Sequence, residues 1–390
     1  MGPATTLRSP LQFVVTRDRS VRRARPTHGR ATARAAILTG IVVAILAHAG
    51  LAVAVETEWP QWRDPEFFHR LNRLVAVVRE EKAVGHTRPL VVVIGGSRSQ
   101  MGLSPEHLGL GNGPADPVVF NCAQSGCLPV GERLNLARLL ASGLVPACVL
   151  LEVLPPVLAD RGPMDDRIPA ARLGLADLER LHPYHTHPAR VRSDWFRSRV
   201  TSWYTLRLPL MANVGLADAL PPGPNRPDFL WSRMQLHGWV PFPATAWSDD
   251  QRAAGLVLAR RQYGFLLDDF RIDPVNDLAL RDALAVCRNS HIRAALFVMP
   301  ESPTFRGWYP PAARQKVGTY LDDLSREFGV PVFDASRWFD DEAVFKDGHH
   351  LLRSGAEAFS KRFGRECVGP WVLNKNGPQM TQTSTQIISR

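Results

Sequence analysis

The chain has 390 residues, of which 45% are hydrophobic and 22% charged, enough to bury a substantial core and too balanced for a disordered protein. Its formal charge of +10 is uneven: residues 1 to 34 carry eight Arg against one Asp and so supply +7 of it. That asymmetry is a topology signal, and with no basic stripe interleaved with aromatics and no zinc spacing it argues against a nucleic-acid partner.

Residues 1–34 read as a basic cytoplasmic tail. Residues 35–55, AAILTGIVVAILAHAGLAVAV, hold no charged side chain. As a helix at about 1.5 Å per residue they extend about 31 Å, which matches the hydrocarbon core of a bilayer. Arg-rich sequence precedes the stretch, and Glu56, Glu58 and the Trp59/Trp62 pair follow it. This is the positive-inside pattern with an aromatic interfacial belt, so the expectation is a single-pass anchor with a cytoplasmic N-terminus and an extracytoplasmic main domain. The alternative is a cleaved signal peptide ending at Ala52-Val53-Ala54, for which a 34-residue leading region is long. Arg22-Arg23 makes only a weak twin-arginine signal.

Residues 56–87 read as a lead-in helix and linker, with apolar residues at helical spacing from Phe67 to Glu80. Short apolar runs then recur at Leu90–Ile94, Val118–Phe120, Cys148–Val153, Ala295–Met299 and Val330–Phe333, none broken by polar alternation. Such runs are strands buried on both faces. Amphipathic stretches lie between them at Glu132–Ser142, Asp277–Asn289 and Ala312–Phe328. Strand–helix alternation of this kind predicts an α/β domain with a three-layer, doubly wound parallel sheet. It extends over residues 88–368, with a mostly helical insertion at about 155–270.

The insertion is rich in Pro, Trp and Arg and contains the breaker cluster Pro221-Pro222-Gly223-Pro224. It reads equally as a substrate lid and as a structural flap. His182, His185 and His187 within it read as solvated loop residues. Residues 374–390 are polar and aperiodic, a disordered tail. Five cysteines leave at least one unpaired, and Cys122 and Cys127 are the only near neighbours. An exported domain permits a disulfide there without requiring it.

The chemistry gathers at strand ends. The first strand runs into Gly95-Gly96-Ser97-Arg98-Ser99, which delivers a hydroxyl at a carboxyl edge. The second is followed by Asn121-Cys122-Ala123-Gln124-Ser125-Gly126, and a glycine at such a turn can aim its N–H at the same space. Asp347-Gly348-His349-His350 comes after the last strand. A serine hydroxyl is a poor nucleophile and needs a neutral imidazole to take its proton. Ser97, His350 as base and Asp347 as the group that orients it are therefore the candidate triad, with the N–H groups of Ser97 and Gly126 as oxyanion donors. Arg98, Asn121, Gln124, Glu152 and Glu301 are candidate substrate-lining residues. Their plain alternatives are a surface charge for Arg98, a strand-end cap for Asn121, turn chemistry for Gln124, an Arg partner for Glu152 and a helix-starting loop for Glu301 and Ser302. His349 and His350 beside Asp347 suggest a metal, but neighbouring side chains on a strand or turn point to opposite sides, so neither metal nor cofactor is expected.

In this order of motifs the chain resembles the SGNH (GDSL-like) hydrolase superfamily over residues 88–368. It is most similar to the membrane-anchored branch related to polysaccharide O-acetyltransferase and O-acetylesterase domains, whose serine block is a Gly-x-Ser-Arg form. That resemblance implies an esterase or acyltransferase working through an acyl-enzyme on Ser97, with an acylated envelope or exported carbohydrate, or a similar ester, as substrate. An acyl-donor membrane protein would be a further partner. The third block of the superfamily supplies an Asn, whereas here the stretch reads Leu151-Glu152-Val153-Leu154-Pro155-Pro156. The other reading is therefore a non-catalytic SGNH-like domain that binds glycan or scaffolds an envelope assembly.

Overall fold

The structure is a computed structural model that describes residues 28–373, except 87, 112, 114, 115, 160, 161, 163 and 217–229. Most of the basic tail, the Arg22-Arg23 pair, the 221–224 breaker cluster and the 374–390 tail lie outside the described residues.

The chain divides after Ala49. The first unit holds most of α1 (His28–Thr57), whose residues 31–57 are long and apolar enough to cross a membrane. Ile37, Leu38, Ile41, Val42, Val43, Ile45 and Leu46 on it are all more than half exposed, a display of apolar surface that is costly in water.

The second unit is the α/β fold. Its strands are β1 (Leu90–Ile94), β2 (Val118–Asn121), β3 (Cys148–Glu152), β4 (Arg293–Val298) and β5 (Val332–Asp334). All pair in parallel, in the order β2-β1-β3-β4-β5. Successive residues point to opposite faces, and both faces are covered. Val92, Ile94, Phe120, Val149, Leu151, Leu296 and Val298 pack on one side, in a single cluster that includes apolar residues of four long helices. These are α2 (Pro65–Ala83), α4 (Pro129–Ala141), α12 (Pro274–Asn289) and α14 (Pro311–Phe328). Val91, Val93, Leu150, Ala295 and Phe297 pack on the other, against Trp239, against Ala356, Phe359 and Phe363 of α15 (Arg353–Phe363), against Val368 just before α16 (Gly369–Leu373), and against Val372 within it. The lead-in helix is thus one of the layers of the sheet: Phe67, Leu71, Leu74 and Val77 are buried in its core.

Local sequence explains where these helices begin and end. α2, α4, α12 and α14 each open on a proline, whose fixed φ suits the first helical position and whose missing N–H is not needed there. Asp273 caps α12 by accepting from the N–H groups of Val275 and Asn276.

The insertion is mostly helical where described, with α5 (Pro155–Leu158), α6 (Leu175–Leu181), α7 (Pro188–Val200), α8 (Ser202–Thr205), α9 (Arg207–Asn213), α10 (Asp249–Tyr263) and α11 (Phe265–Asp268). Among its histidines, His187 is not simply solvated: its Nδ1 lies 2.9 Å from Asp165 Oδ2. All five cysteines are free, and burial pushes the Cys122 thiol up to about 12.

Candidate active site

The carboxyl ends of the parallel strands form one rim, and the loops that leave them carry the side chains singled out above. β1 passes through Gly95-Gly96 into α3 (Ser97–Gly102), so Ser97 is the first residue of a short helix. Gly95 is required there: a Cβ on it would run into Ser99 Oγ and the side chain of Glu152. The loop after β2 is tied to the first by Cys122 N–H to Val93 O, 2.8 Å, and Gln124 N–H to Gly95 O, 2.9 Å.

Between β5 and α15 the chain folds into a tight loop closed by Lys346 N–H to His350 O at 2.8 Å. Two other elements hold it. Ser302 N–H donates to Gly348 O at 2.8 Å, and α10 lies against it so closely that a Cβ at Gly255 would stand 2.8 Å from Lys346 O and 3.0 Å from Asp347 Cβ. α13 (Pro303–Gly307) begins at the same place, capped by Ser302 Oγ, which accepts from Phe305 N–H.

Ser97 and His350 are 253 residues apart in the chain, yet Ser97 Oγ is 2.7 Å from His350 Nε2. His350 Nδ1 in turn is 2.9 Å from Asp347 Oδ2, and the backbone N–H of His350 donates to Asp347 Oδ1 at 2.9 Å. Burial alone would raise the Asp347 carboxyl, but the imidazoles of His350 and His349 beside it hold it well below the usual carboxylate range. Hydroxyl, imidazole and carboxylate thus form one hydrogen-bonded line with its hydroxyl end half-buried.

His349 departs from the sequence expectation. The two adjacent imidazoles do not point to opposite sides; both turn toward Asp347, with ring centroids 4.1 Å apart and His349 Nδ1 3.1 Å from Asp347 Oδ1. The backbone makes a turn here, so the alternation of an extended strand does not apply. His349 is buried, stacked on Phe305 and edge-on to Tyr263. Burial, reinforced by His350, lowers its pKa to about 4, so it is neutral near pH 7. Asp347, His349 and His350 offer ligand atoms within 4.8 Å of one another. Their nitrogens stand at hydrogen-bond distance from the carboxylate, and His350 Nε2 faces the Ser97 hydroxyl, so shared protons account for the arrangement.

A cavity of about 220 Å³ opens beside this line, and Gly96, Ser97, Arg98, Gly126 and Glu152 contribute to its wall. Leu154, Val157 and Leu158 from the start of the insertion, Arg167 within it, and Gln262 and Tyr263 from the end of α10 lie in the same wall, so both ends of the insertion shape the site.

The other sequence candidates lie around this cavity in ways the sequence did not indicate. Arg98 is not a surface charge; its side chain is 1% exposed, donates to Met299 O and Pro300 O, and lies between Glu152 (3.7 Å) and Glu301 (3.4 Å). Glu152 does pair with an arginine, and it also clamps the serine turn: Oε2 accepts from Gly96 N–H at 2.9 Å, from Ser99 N–H at 3.2 Å and from Ser99 Oγ. Asn121 is not part of this wall: its amide is fully buried and consumed by Ser99 O, Leu103 O and Ala123 N–H. Gln124 borders a separate cavity of about 30 Å³ and bonds Asn135 and Asp64. Glu301 sits behind the site, bonded by Tyr309 Oη at 2.9 Å. These departures share a cause: a polar side chain near a strand end is drawn inward when a buried partner exists, and the partners come from elsewhere in the chain.

Among solved structures the chain is similar to a lipase/acylhydrolase from Enterococcus faecalis, with 13% identity, a TM-score of 0.30, and coverage of 72% of this chain and 96% of that chain. No protein-family model and no curated protein matches it.

Proposed function

We propose that this chain is a serine-dependent acyl-ester hydrolase or O-acyltransferase acting on an envelope or exported carbohydrate through an acyl-enzyme on Ser97. The observation that carries the reading is the continuous Ser97–His350–Asp347 line, with contacts of 2.7 and 2.9 Å.

In the first half-reaction His350 Nε2 takes the Ser97 Oγ proton as Oγ attacks the ester carbonyl. Asp347 keeps the ring oriented and stabilises the imidazolium. As the tetrahedral intermediate collapses, the bond from the carbonyl carbon to the alkoxy oxygen breaks, and His350 returns the proton to the departing alcohol. Water or a sugar hydroxyl then attacks the acyl-enzyme by the same proton path, giving hydrolysis or transfer. Ser97 and Gly126 border the same cavity, and in this reading their N–H groups receive the oxyanion. α1 serves as the anchor that holds this domain outside the cytoplasm, within reach of envelope glycans and of an acyl-donor membrane protein.

A second reading has its own support. The stretch after β3, where the resembling family carries an amide donor, reads Leu151-Glu152-Val153-Leu154-Pro155-Pro156 and holds no Asn, and its Glu152 only accepts and is already engaged by the serine turn. Losing one oxyanion donor costs about 2.7–4 kcal/mol of transition-state stabilisation, which favours a non-catalytic glycan-binding or scaffold domain. A fluorophosphonate probe separates the two. The enzyme reading expects labelling that is lost in Ser97→Ala and strongly reduced in His350→Ala; folded protein that is never labelled supports the binder.

A further inference from the structure

The chemistry proposed above leaves one carboxyl in the cavity wall without a task. Glu132 lies in the first turn of α4, its N–H bonded to Leu128 O at 2.9 Å, and its side chain helps to line the cavity that holds Ser97. The residue is 4% exposed, and Oε2 meets no hydrogen-bond partner. The contrast with Glu152 is informative: the free oxygen of Glu152 faces the guanidinium of Arg98 at 3.7 Å, whereas no ion pair reaches Glu132 among the described residues. Burial, with the Glu152 charge adding to it, holds the Glu132 carboxyl well above the usual carboxylate range, which favours its protonated form. Leu128, Val153, Leu154, Val157, Leu158 and Leu280 supply the apolar part of the wall, and Arg98, Arg167 and Gln262 stand among its polar members.

We infer that this cavity receives the acyl group of the ester and that Glu132 selects acyl chains bearing a hydroxyl. The inference rests on the reading that Ser97 forms an acyl-enzyme. Leu and Val side chains favour methylene groups, which gain by leaving water. A neutral carboxyl set among them offers one donor and one acceptor, and a hydroxyl matches both. An unsubstituted chain leaves the carboxyl unpaired. An ammonium would have to shed its hydration in a cavity whose wall already carries Arg98 and Arg167, at a much greater cost than a hydroxyl.

The test uses the detergent-solubilised full chain and 4-nitrophenyl esters of butyrate, 3-hydroxybutyrate, 4-hydroxybutyrate and 3-aminobutyrate, compared by kcat/KM. One of the hydroxy esters is expected to exceed butyrate by roughly tenfold or more. Glu132→Leu, close in size and apolar, is expected to abolish that preference by slowing the hydroxy ester and speeding butyrate, while Glu132→Gln retains part of it. An unchanged ratio in Glu132→Leu, or a preference for the amino ester, overturns the inference. Thermal melting of both variants reports on folding, and Glu132→Gln carries the comparison if the leucine variant unfolds. If no ester is turned over and no probe labels Ser97, the catalytic reading has failed; calorimetric binding of hydroxybutyramides against butyramide to the wild-type and Glu132→Gln proteins then decides the role of Glu132 by itself. Equal affinity of the wild type for these amides overturns it.

Discussion

Replacing Glu152 by Gln while replacing its partner Arg98 by Met asks whether the serine turn is held by a buried charge pair. The two side chains are 2% and 1% exposed, and their nearest charged atoms are 3.7 Å apart. At an effective dielectric constant near 20 this separation corresponds to about 4 kcal/mol of attraction. Breaking a buried pair by removing one member typically costs about 3–5 kcal/mol, because the other charge is left in a poorly solvated place. Glu152→Gln keeps the shape but loses the charge that accepts from Gly96 N–H, Ser99 N–H and Ser99 Oγ, so its stability should fall by about 3 kcal/mol. Arg98→Met should lose a similar amount, since it also gives up two backbone acceptors. The double variant should lose less than the sum, by a coupling of about 2–3 kcal/mol. Urea unfolding of the solubilised chain, followed by tryptophan fluorescence, measures all three. Additivity within about 0.5 kcal/mol would refute the claim that this pair supports the turn. In Glu152→Gln the rate of fluorophosphonate labelling of Ser97 should also drop, because the N–H groups that set the start of α3 lose their common acceptor.

Two further outcomes follow from the same geometry. His349 has a pKa of about 4 in the fold and an ordinary value near 6.5 when unfolded, so below pH 6.5 the unfolded chain binds a proton that the folded chain refuses. Its contribution is complete above pH 6.5 and declines as the pH falls toward 4, by about 1.4 kcal/mol per pH unit; urea unfolding should therefore show a drop between pH 7 and pH 5 that is about 2 kcal/mol smaller in His349→Phe, and equal drops would contradict the assignment. For topology, a cysteine placed at exposed Phe196 should react with a membrane-impermeant maleimide in intact cells whose outer layer has been permeabilised; reaction only after lysis would put the domain on the cytoplasmic side.

Much of the fold was legible because its signals are local. β1 coincides with the apolar run Leu90–Ile94, and the remaining strands fall within two residues of their runs, since a strand buried on both faces has little choice but to be continuously apolar. The Asp347-x-x-His350 spacing was likewise readable, because a tight turn brings an aspartate onto the imidazole three residues later. What tertiary structure decided was the fate of single polar side chains. Nothing in the neighbourhood of Arg98 told of Glu152 and Glu301 waiting 54 and 203 residues away, and nothing beside His349 told that Phe305 and Tyr263 would enclose it. Glu132 merely opened the amphipathic stretch Glu132–Ser142, and nothing beside it told that its carboxyl would be buried in a cavity wall.

The sequence by itself determined the parallel sheet, the order in which serine, glycine, aspartate and histidine leave it, and an apolar helix long enough to cross a membrane. Only the tertiary structure decided that Ser97 and His350 meet, that the Glu152 carboxylate holds the serine turn, and that a lone carboxyl remains in the cavity wall. The reason is physical: hydrophobic periodicity is written in adjacent residues, whereas the burial of a charge depends on partners that folding alone brings near.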